Sequence, residues 1–313
     1  PYSRQFTPSR DPYPDFGLTQ SAYWIRVTLR SERDQPTDWL LEAGPPYLDA
    51  VDIYVPDSGG EIRHVPMGDR LPFHAREFPH RHFLLELPLS PDADPTVYLR
   101  LQDQSRIRVA MTLWEPDAFA RAHALWTLGY GIFYGAALMM ALNGLLVFLM
   151  FRERLFLYFS LYVLISLLIF LSWNGFAYQY LWPNRVRWQN TATLALFCTA
   201  TSVHFIFTAE FLRIRRDNPT LYRLMHLGAI LAAGLMVTLV ATGHPVFRQI
   251  FYLLSMPTAL FFGGVGCYVW QQHQRTARTY LLIWGLYNLS FLITAASEFG
   301  ILSSSPLTDH ISQ

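Results

Sequence analysis

LWTLGYGIFYGAALMMALNGLLVFLMF, residues Leu125–Phe151, is a run of 27 residues without a charge, closed by Arg152, Glu153 and Arg154. At about 1.5 Å of rise per residue it makes a rod about 40 Å long, enough to cross a roughly 30 Å hydrocarbon layer with some tilt. It is apolar on every face, which a surface helix of a soluble domain is not. Upstream the sequence is patterned for water; downstream it is patterned for lipid.

Downstream, six apolar runs can be marked: 125–151, 155–178, 191–212, 222–241, 247–270 and 280–301. Each is long enough to span, and the short joints between them make neighbours antiparallel. Residues 119–302 are therefore predicted to form an all-α transmembrane bundle. Arginine placement orients it. With the N-terminus outside, the inner loops hold Arg152, Arg154, Arg213, Arg215, Arg216, Arg223, Arg275 and Arg278, against Arg185, Arg187 and Arg248 outside. Eight against three is the bias expected of an exported N-terminal domain. Tyr178, Tyr180, Trp182 and Trp188 gather at an outer loop as an aromatic belt. Six spans return the chain to the outside at Ser303, so residues 303–313 read as an outer loop leading to a seventh helix and an inner domain beyond Gln313.

Upstream, residues 1–118 read as short strands with turn punctuation. Residues 22–29 alternate Tyr23, Ile25, Val27 and Leu29 against Trp24, Arg26 and Thr28, a period of two. Further strands are predicted at 39–42, 50–55, 61–65, 82–87, 97–101 and 107–113. Asp57-Ser58-Gly59-Gly60 signals a hairpin turn between the second and third of these. Seven or eight strands at roughly ten-residue spacing predict an all-β sandwich, jelly-roll-like. Residues 116–124 read as a short linker into the first span. Residues 1–10 have no apolar core, so a signal peptide is expected to have been removed ahead of Pro1.

Composition excludes several chemistries. Residues 1–121 carry 18 acids against 13 arginines and residues 122–313 carry 5 against 11, so the net charge of +1 is a cancellation of −5 and +6. No basic face can be assembled from so acidic an outer half, which argues against a nucleic-acid partner. All 24 basic residues are arginine. Without a lysine there is no Schiff base to retinal or pyridoxal and no Walker-type phosphate lysine. No cofactor is expected. Cys198 and Cys267 lie inside apolar runs, so the outer domain folds without disulfides.

Candidate ligand residues in the outer domain are Trp24, His74, Arg76, His80, His82, Arg106 and Arg108. Phe78-Pro79-His80-Arg81-His82-Phe83 sets two imidazoles and a guanidinium beside aromatics. It reads either as a polar binding loop or as a solvated loop entering a strand, and the latter is favoured. A metal held by His74, His80 and His82 is disfavoured, because no carboxylate or cysteine sits at ligand spacing. Trp24, Tyr47, Tyr54 and Trp114 could stack on a sugar ring or simply pack. Arg106 and Arg108 alternate with Ile107 and share one sheet face. In the bundle, Thr201, His204 and Thr208 fall on one helical face, with Glu210 and Arg213 near its inner end. Glu298 lies near the outer end of the sixth run, where Arg248 could reach it. These polar groups form either a gated network or static interhelical hydrogen bonds. Gly131 and Gly135 form a GxxxG, which suggests a homodimer through the first span. Pro257 predicts a kink.

The chain resembles the bacterial seven-transmembrane receptors with diverse intracellular signalling modules. The resemblance rests on Phe16-Gly17-Leu18-Thr19, Ser21-Ala22-Tyr23-Trp24-Ile25-Arg26 and Leu48-Asp49-Ala50-Val51-Asp52-Ile53-Tyr54-Val55. Gly68-Asp69 with Leu71-Pro72-Phe73, His80-Arg81-His82-Phe83 and Thr112-Leu113-Trp114 continue it. In the bundle it rests on Asn174-Gly175-Phe176-Ala177-Tyr178-Gln179-Tyr180-Leu181-Trp182-Pro183, residues 207–212, and residues 278–282 with Trp284. It implies a periplasmic sandwich of carbohydrate-binding type, a seven-helix bundle in a bacterial inner membrane, and a C-terminal output module. In relatives that module is usually a diguanylate cyclase, a histidine kinase or a phosphatase. The expected function is that of a signal-receiving part without catalysis of its own, partnered by membrane lipid and a glycan or other small solute. A transporter or channel with a periplasmic accessory domain is the alternative. It predicts paired broken helices and mid-membrane charge.

Overall fold

Nine strands form among the described residues, the longer ones set by alternation of apolar and polar side chains. They are β1 (Asp15–Leu18), β2 (Tyr23–Thr28), β3 (Thr37–Ala43), β4 (Ala50–Pro56), β5 (Ile62–Met67), β6 (Leu84–Leu89), β7 (Thr96–Gln102), β8 (Arg106–Arg108) and β9 (Met111–Trp114). The computed structural model describes residues 6–9, 14–19, 21–30, 37–56, 61–89, 94–103, 106–243, 246–272 and 276–286. By internal contacts the chain divides into two units, 1–134 with 170–190, and 135–169 with 191–313.

In the first unit the strands form a four-stranded sheet in the order β2-β7-β4-β5, a three-stranded sheet β6-β3-β9, and a two-stranded pair β1-β8. All pairings are antiparallel. The register fixes which side chains face inward. Tyr23, Ile25 and Val27 pair with Leu101, Leu99 and Val97, and these continue to Val51 and Ile53 of β4. Leu41, Leu85 and Leu87 of the three-stranded sheet complete one shared core with them. Burying a side chain such as Ile53 or Leu99 contributes about 1.5–3 kcal/mol, so this core dominates the stability of the sandwich.

Several sequence expectations need correction here. The stretch 107–113 is not one strand. β8 pairs with β1 and β9 with β3, so the chain changes sheets at Val109-Ala110. There Val109 N–H bonds the Pro14 carbonyl and the Ala110 carbonyl accepts from Gly44 N–H. The strand expected at 82–87 begins two residues later, because His82 is turned into a side-chain cluster. β1 escapes sequence reading because four residues are too few to show a period. The hairpin between β4 and β5 forms as expected, and its turn residues 57–60 lie outside the described residues.

Residues 116–124 are helix, not linker. α1 (Pro116–Phe151) starts with proline, whose missing N–H costs nothing in a first turn, and Asp117 complements the helix dipole there. Its first turn lies against the outward face of the three-stranded sheet, where Phe119 packs with Leu40 and Leu84. α2 (Arg154–Trp173) ends five residues short of the expected boundary. Gly175 turns the chain at φ 78°, and Ala177–Leu181 continues as a short π-helix. α3 (Val186–Phe211) begins before the expected Thr191.

After the one-turn α4 (Ile214–Asp217), α5 (Pro219–Thr242) is capped by Asn218, whose side chain accepts from Leu221 N–H, and is closed by left-handed Gly243. α6 is Val246–Gln271, with Pro257 inside it. Of the sixth apolar run, residues 280–286 lie in a helical stretch, 276–286, and the rest falls outside the described residues. Among the described residues, five helices are long and apolar enough to cross a membrane.

Candidate functional site

The outward face of the four-stranded sheet carries a row of rings. Trp24 on β2 stacks on Tyr54 of β4 with ring centroids 5.4 Å apart, and Tyr54 stacks on His64 of β5 at 4.6 Å. Trp24 keeps 48% of its surface exposed. β7 passes between β2 and β4, so the row spans Arg100, which pairs in register with both Trp24 and Asp52. Arg100 donates to Asp52 Oδ2 at 2.9 Å and to Gln102 Oε1 at 2.7 Å, while His64 Nε2 lies 2.9 Å from Asp52 Oδ1. One edge of the same face holds Arg26 over the ring of Phe6, which also meets Tyr98. By contrast, the cavity between the sheets, lined by Val27, Leu29, Leu41, Val97, Leu99, Met111 and Leu113, has a volume of about 100 Å³. That is well below the roughly 300 Å³ at which small-molecule sites begin.

A second concentration of polar groups lies in the 71–83 loop, whose 78–83 stretch was expected to be a solvated entry to a strand. It is only partly solvated: His74, Ala75, Glu77 and Pro79 are exposed, while Arg76, Arg81 and Phe83 are 8%, 5% and 1% exposed. Arg76 donates to the carbonyls of His80 and Arg81 at 2.9 and 2.8 Å and lies over the rings of Phe73 and Phe83. Burial lowers its guanidinium to about 10, partly offset by Tyr178 and Asp69. Arg81 lies over Tyr130 and Phe176 and donates to the Asn174 carbonyl; burial lowers its pKa as well. The segment between α2 and α3 clasps this loop. Tyr178 O–H donates to the Leu71 carbonyl, Phe73 N–H donates to the Pro183 carbonyl at 2.9 Å, and His74 Nδ1 meets Asn184 Oδ1 at 2.8 Å.

Three imidazoles gather beside it. The ring centroids of His80, His82 and His123 are 5.3, 5.0 and 5.2 Å apart, a nearly equilateral triangle. Glu42 of β3 joins them: Oε1 is 2.7 Å from His82 Nδ1, and Oε2 accepts from Trp114 Nε1 at 2.6 Å. Burial would push the Glu42 carboxyl up. The hydrogen bond and charge of His82, then the Trp114 N–H, outweigh it and hold the group below the ordinary carboxylate range. Among the described residues, His82 Nε2 and His123 Nδ1 are buried without a hydrogen-bond partner. Among the described residues no three His, Cys, Asp or Glu gather donors fit to hold a metal ion.

In the second unit, His204 is buried and stacks on Phe262 at 4.1 Å and on Trp284 at 3.9 Å. Its Nε2 is 3.4 Å from the Tyr280 hydroxyl, which is 3.2 Å from Thr208 Oγ1. Glu210 accepts from the Tyr222 hydroxyl at 3.3 Å. The expected Thr201 leaves this group: its hydroxyl bonds the Phe197 carbonyl of its own helix.

The sequence candidates therefore sort by position. Trp24 stands on the ring face. His80 and His82 come together, while His74 is held elsewhere by Asn184 and Arg76 is used in shaping the loop. The side chains of Arg106, Arg108 and Arg248, and Glu298 altogether, lie outside the described residues. Glu42, His123 and Tyr280 were missed. Each comes from a different element than its partners, and no local spacing announces such meetings.

Two family descriptions match in order. "7TMR-DISM extracellular 2" covers residues 1–115 and "7TM diverse intracellular signalling" covers residues 126–313. A search of curated proteins finds no match. An N-terminal extracellular sandwich and several apolar helices make this a multi-pass membrane protein, and the two matched regions are a receptor's extracellular and transmembrane domains. It belongs to the seven-transmembrane receptors with diverse intracellular signalling modules.

Proposed function

We propose that the outward face of the four-stranded sheet is the receptor's ligand face and that its ligand is a glycan or another small polyhydroxylated solute. The carrying observation is the row Trp24–Tyr54–His64 set beside Asp52, Arg100 and Gln102. A sugar presents an apolar C–H face and a fringe of hydroxyls. An exposed indole suits the first, and a paired carboxylate and guanidinium suit the second. Occupancy of the face shifts a two-state helix assembly, which an inner module of the cyclase or kinase kind reads. The chain sits in a bacterial inner membrane with the sandwich in the periplasm. Arginine bias between the loops supports that orientation.

The test titrates the chain in lipid nanodiscs with a panel of neutral and acidic oligosaccharides, read by calorimetry and tryptophan fluorescence. At least one glycan is expected to bind, and Trp24→Ala to weaken it about tenfold or more, the loss of one stacked ring at a well-packed contact. Absence of binding across the panel, or equal binding by Trp24→Ala, contradicts the reading.

A further inference from the structure

The imidazole triangle has one anion for three bases. His80 and His82 come from the approach to β6, His123 from α1, Glu42 from β3, and β9 contributes the Trp114 N–H. The other charged groups facing it, Arg81 and Arg76, are cations already committed to carbonyls and rings. Glu42 is taken up by His82 and the Trp114 N–H, so among the described residues a proton on His80 or His123 has no carboxylate of its own. Protons on both stand about 5 Å apart, where like charges in a partly buried site repel strongly. Phe119, one turn before His123, has its ring 5.3 Å from His80 and 3.9 Å from His123, so the triangle is also where the first turns of α1 rest on the sandwich.

We propose that His80 and His123, in the triangle they form with His82, are a proton-binding site, and that acidification outside the cell charges them and unseats the start of α1 from the sandwich. This reading is independent of the glycan face. Linkage gives its sign. Burial, and after it the charges of His82, His123 and Arg81, push the His80 imidazole down to about 3, with Glu42 opposing only in part. An unseated form with ordinary imidazoles, near 6.5, binds more protons than the seated form between those values. The seated form is therefore most favoured above about pH 6.5 and is progressively disfavoured as pH falls below it. Each proton taken up shifts the equilibrium about tenfold per pH unit. α1 continues without a break into the first apolar span, so the change is delivered to a transmembrane helix.

The experiment places nitroxide labels at Glu86→Cys on β6 and Arg121→Cys on α1 in a background where Cys198 and Cys267 are replaced by serine. Distances are read by pulsed electron resonance in nanodiscs, with a chelator, from pH 7.5 to 5. The short-distance population is expected to fall about tenfold or more, with a midpoint below about 6.5. His80→Gln combined with His123→Gln is expected to flatten the profile, and each single variant to reduce its steepness. A flat profile in the parent protein overturns the proposal. So does a pH response that survives the double variant, or a distance change that appears only on adding Zn²⁺ at constant pH 7.5.

Discussion

Arg81 donates from Nη1 to the carbonyl of Asn174, 3.1 Å away and 93 residues later in the chain. Its guanidinium also lies over Tyr130 and Phe176, so one buried side chain holds the 71–83 loop, the start of α1 and the segment after α2 together within the first unit. A charge-assisted hydrogen bond contributes about 1.5–3 kcal/mol and each ring contact about 0.5–2. Arg81→Ala is expected to destabilise this unit by about 2–4 kcal/mol and to speed amide exchange at residues 174–181. Arg81→Lys is expected to recover little, because an ammonium cannot lie flat between two rings and still reach the carbonyl. Exchange mass spectrometry checks both.

Gly175 is the hinge of the same clasp. It sits at φ 78°, and an added Cβ would come within 3.1 Å of Pro46 Cβ and 3.2 Å of Arg81 Cβ. Gly175→Ala combines a left-handed backbone with those contacts and is expected to cost about 1–3 kcal/mol. A lowered unfolding midpoint with the native helix content retained is the expected result.

This clasp also explains what could be read from sequence and what could not. The residues that carried the resemblance, Leu71-Pro72-Phe73, His80-Arg81-His82-Phe83 and Asn174–Pro183, touch one another in the fold. The strands β2, β4, β5 and β7 were legible because each alternates a more exposed face with a buried one, while β3 and β6 showed as apolar runs whose outward Leu40 and Leu84 are covered by Phe119. β8 and β9 were not, since one apolar run served two sheets. The extension of α1 back to Pro116 was hidden because Arg121 and His123 look like loop chemistry to a hydropathy reading. The partnership of Glu42 with His82 was hidden because it joins β3 to the approach to β6, 40 positions later.

Exposed rings and buried ones on the sandwich should separate function from stability. Trp24→Ala removes a half-exposed side chain and is expected to change unfolding free energy by less than about 1 kcal/mol. Ile53→Ala, at a fully buried position, is expected to cost about 2–5 kcal/mol. Denaturant titration of both variants provides the comparison.

In the second unit the Tyr280 hydroxyl stands between His204 and Thr208. Interhelical hydrogen bonds in lipid average about 0.6 kcal/mol. A double-mutant cycle of His204→Phe with Tyr280→Phe is expected to give a coupling near that value, because phenylalanine keeps the stacking on Phe262 and Trp284. A coupling of several kcal/mol would mark a switch in place of a static bond.

The most direct measurement is the sidedness of the two units. Single cysteines at Asp94 and Arg215, in the cysteine-replaced background, are treated with a membrane-impermeant maleimide on intact bacterial spheroplasts. Asp94→Cys is expected to label at once and Arg215→Cys only after permeabilisation. Labelling of Arg215→Cys on intact cells, with Asp94→Cys protected, would invert the membrane orientation and contradict a sandwich that senses the outside.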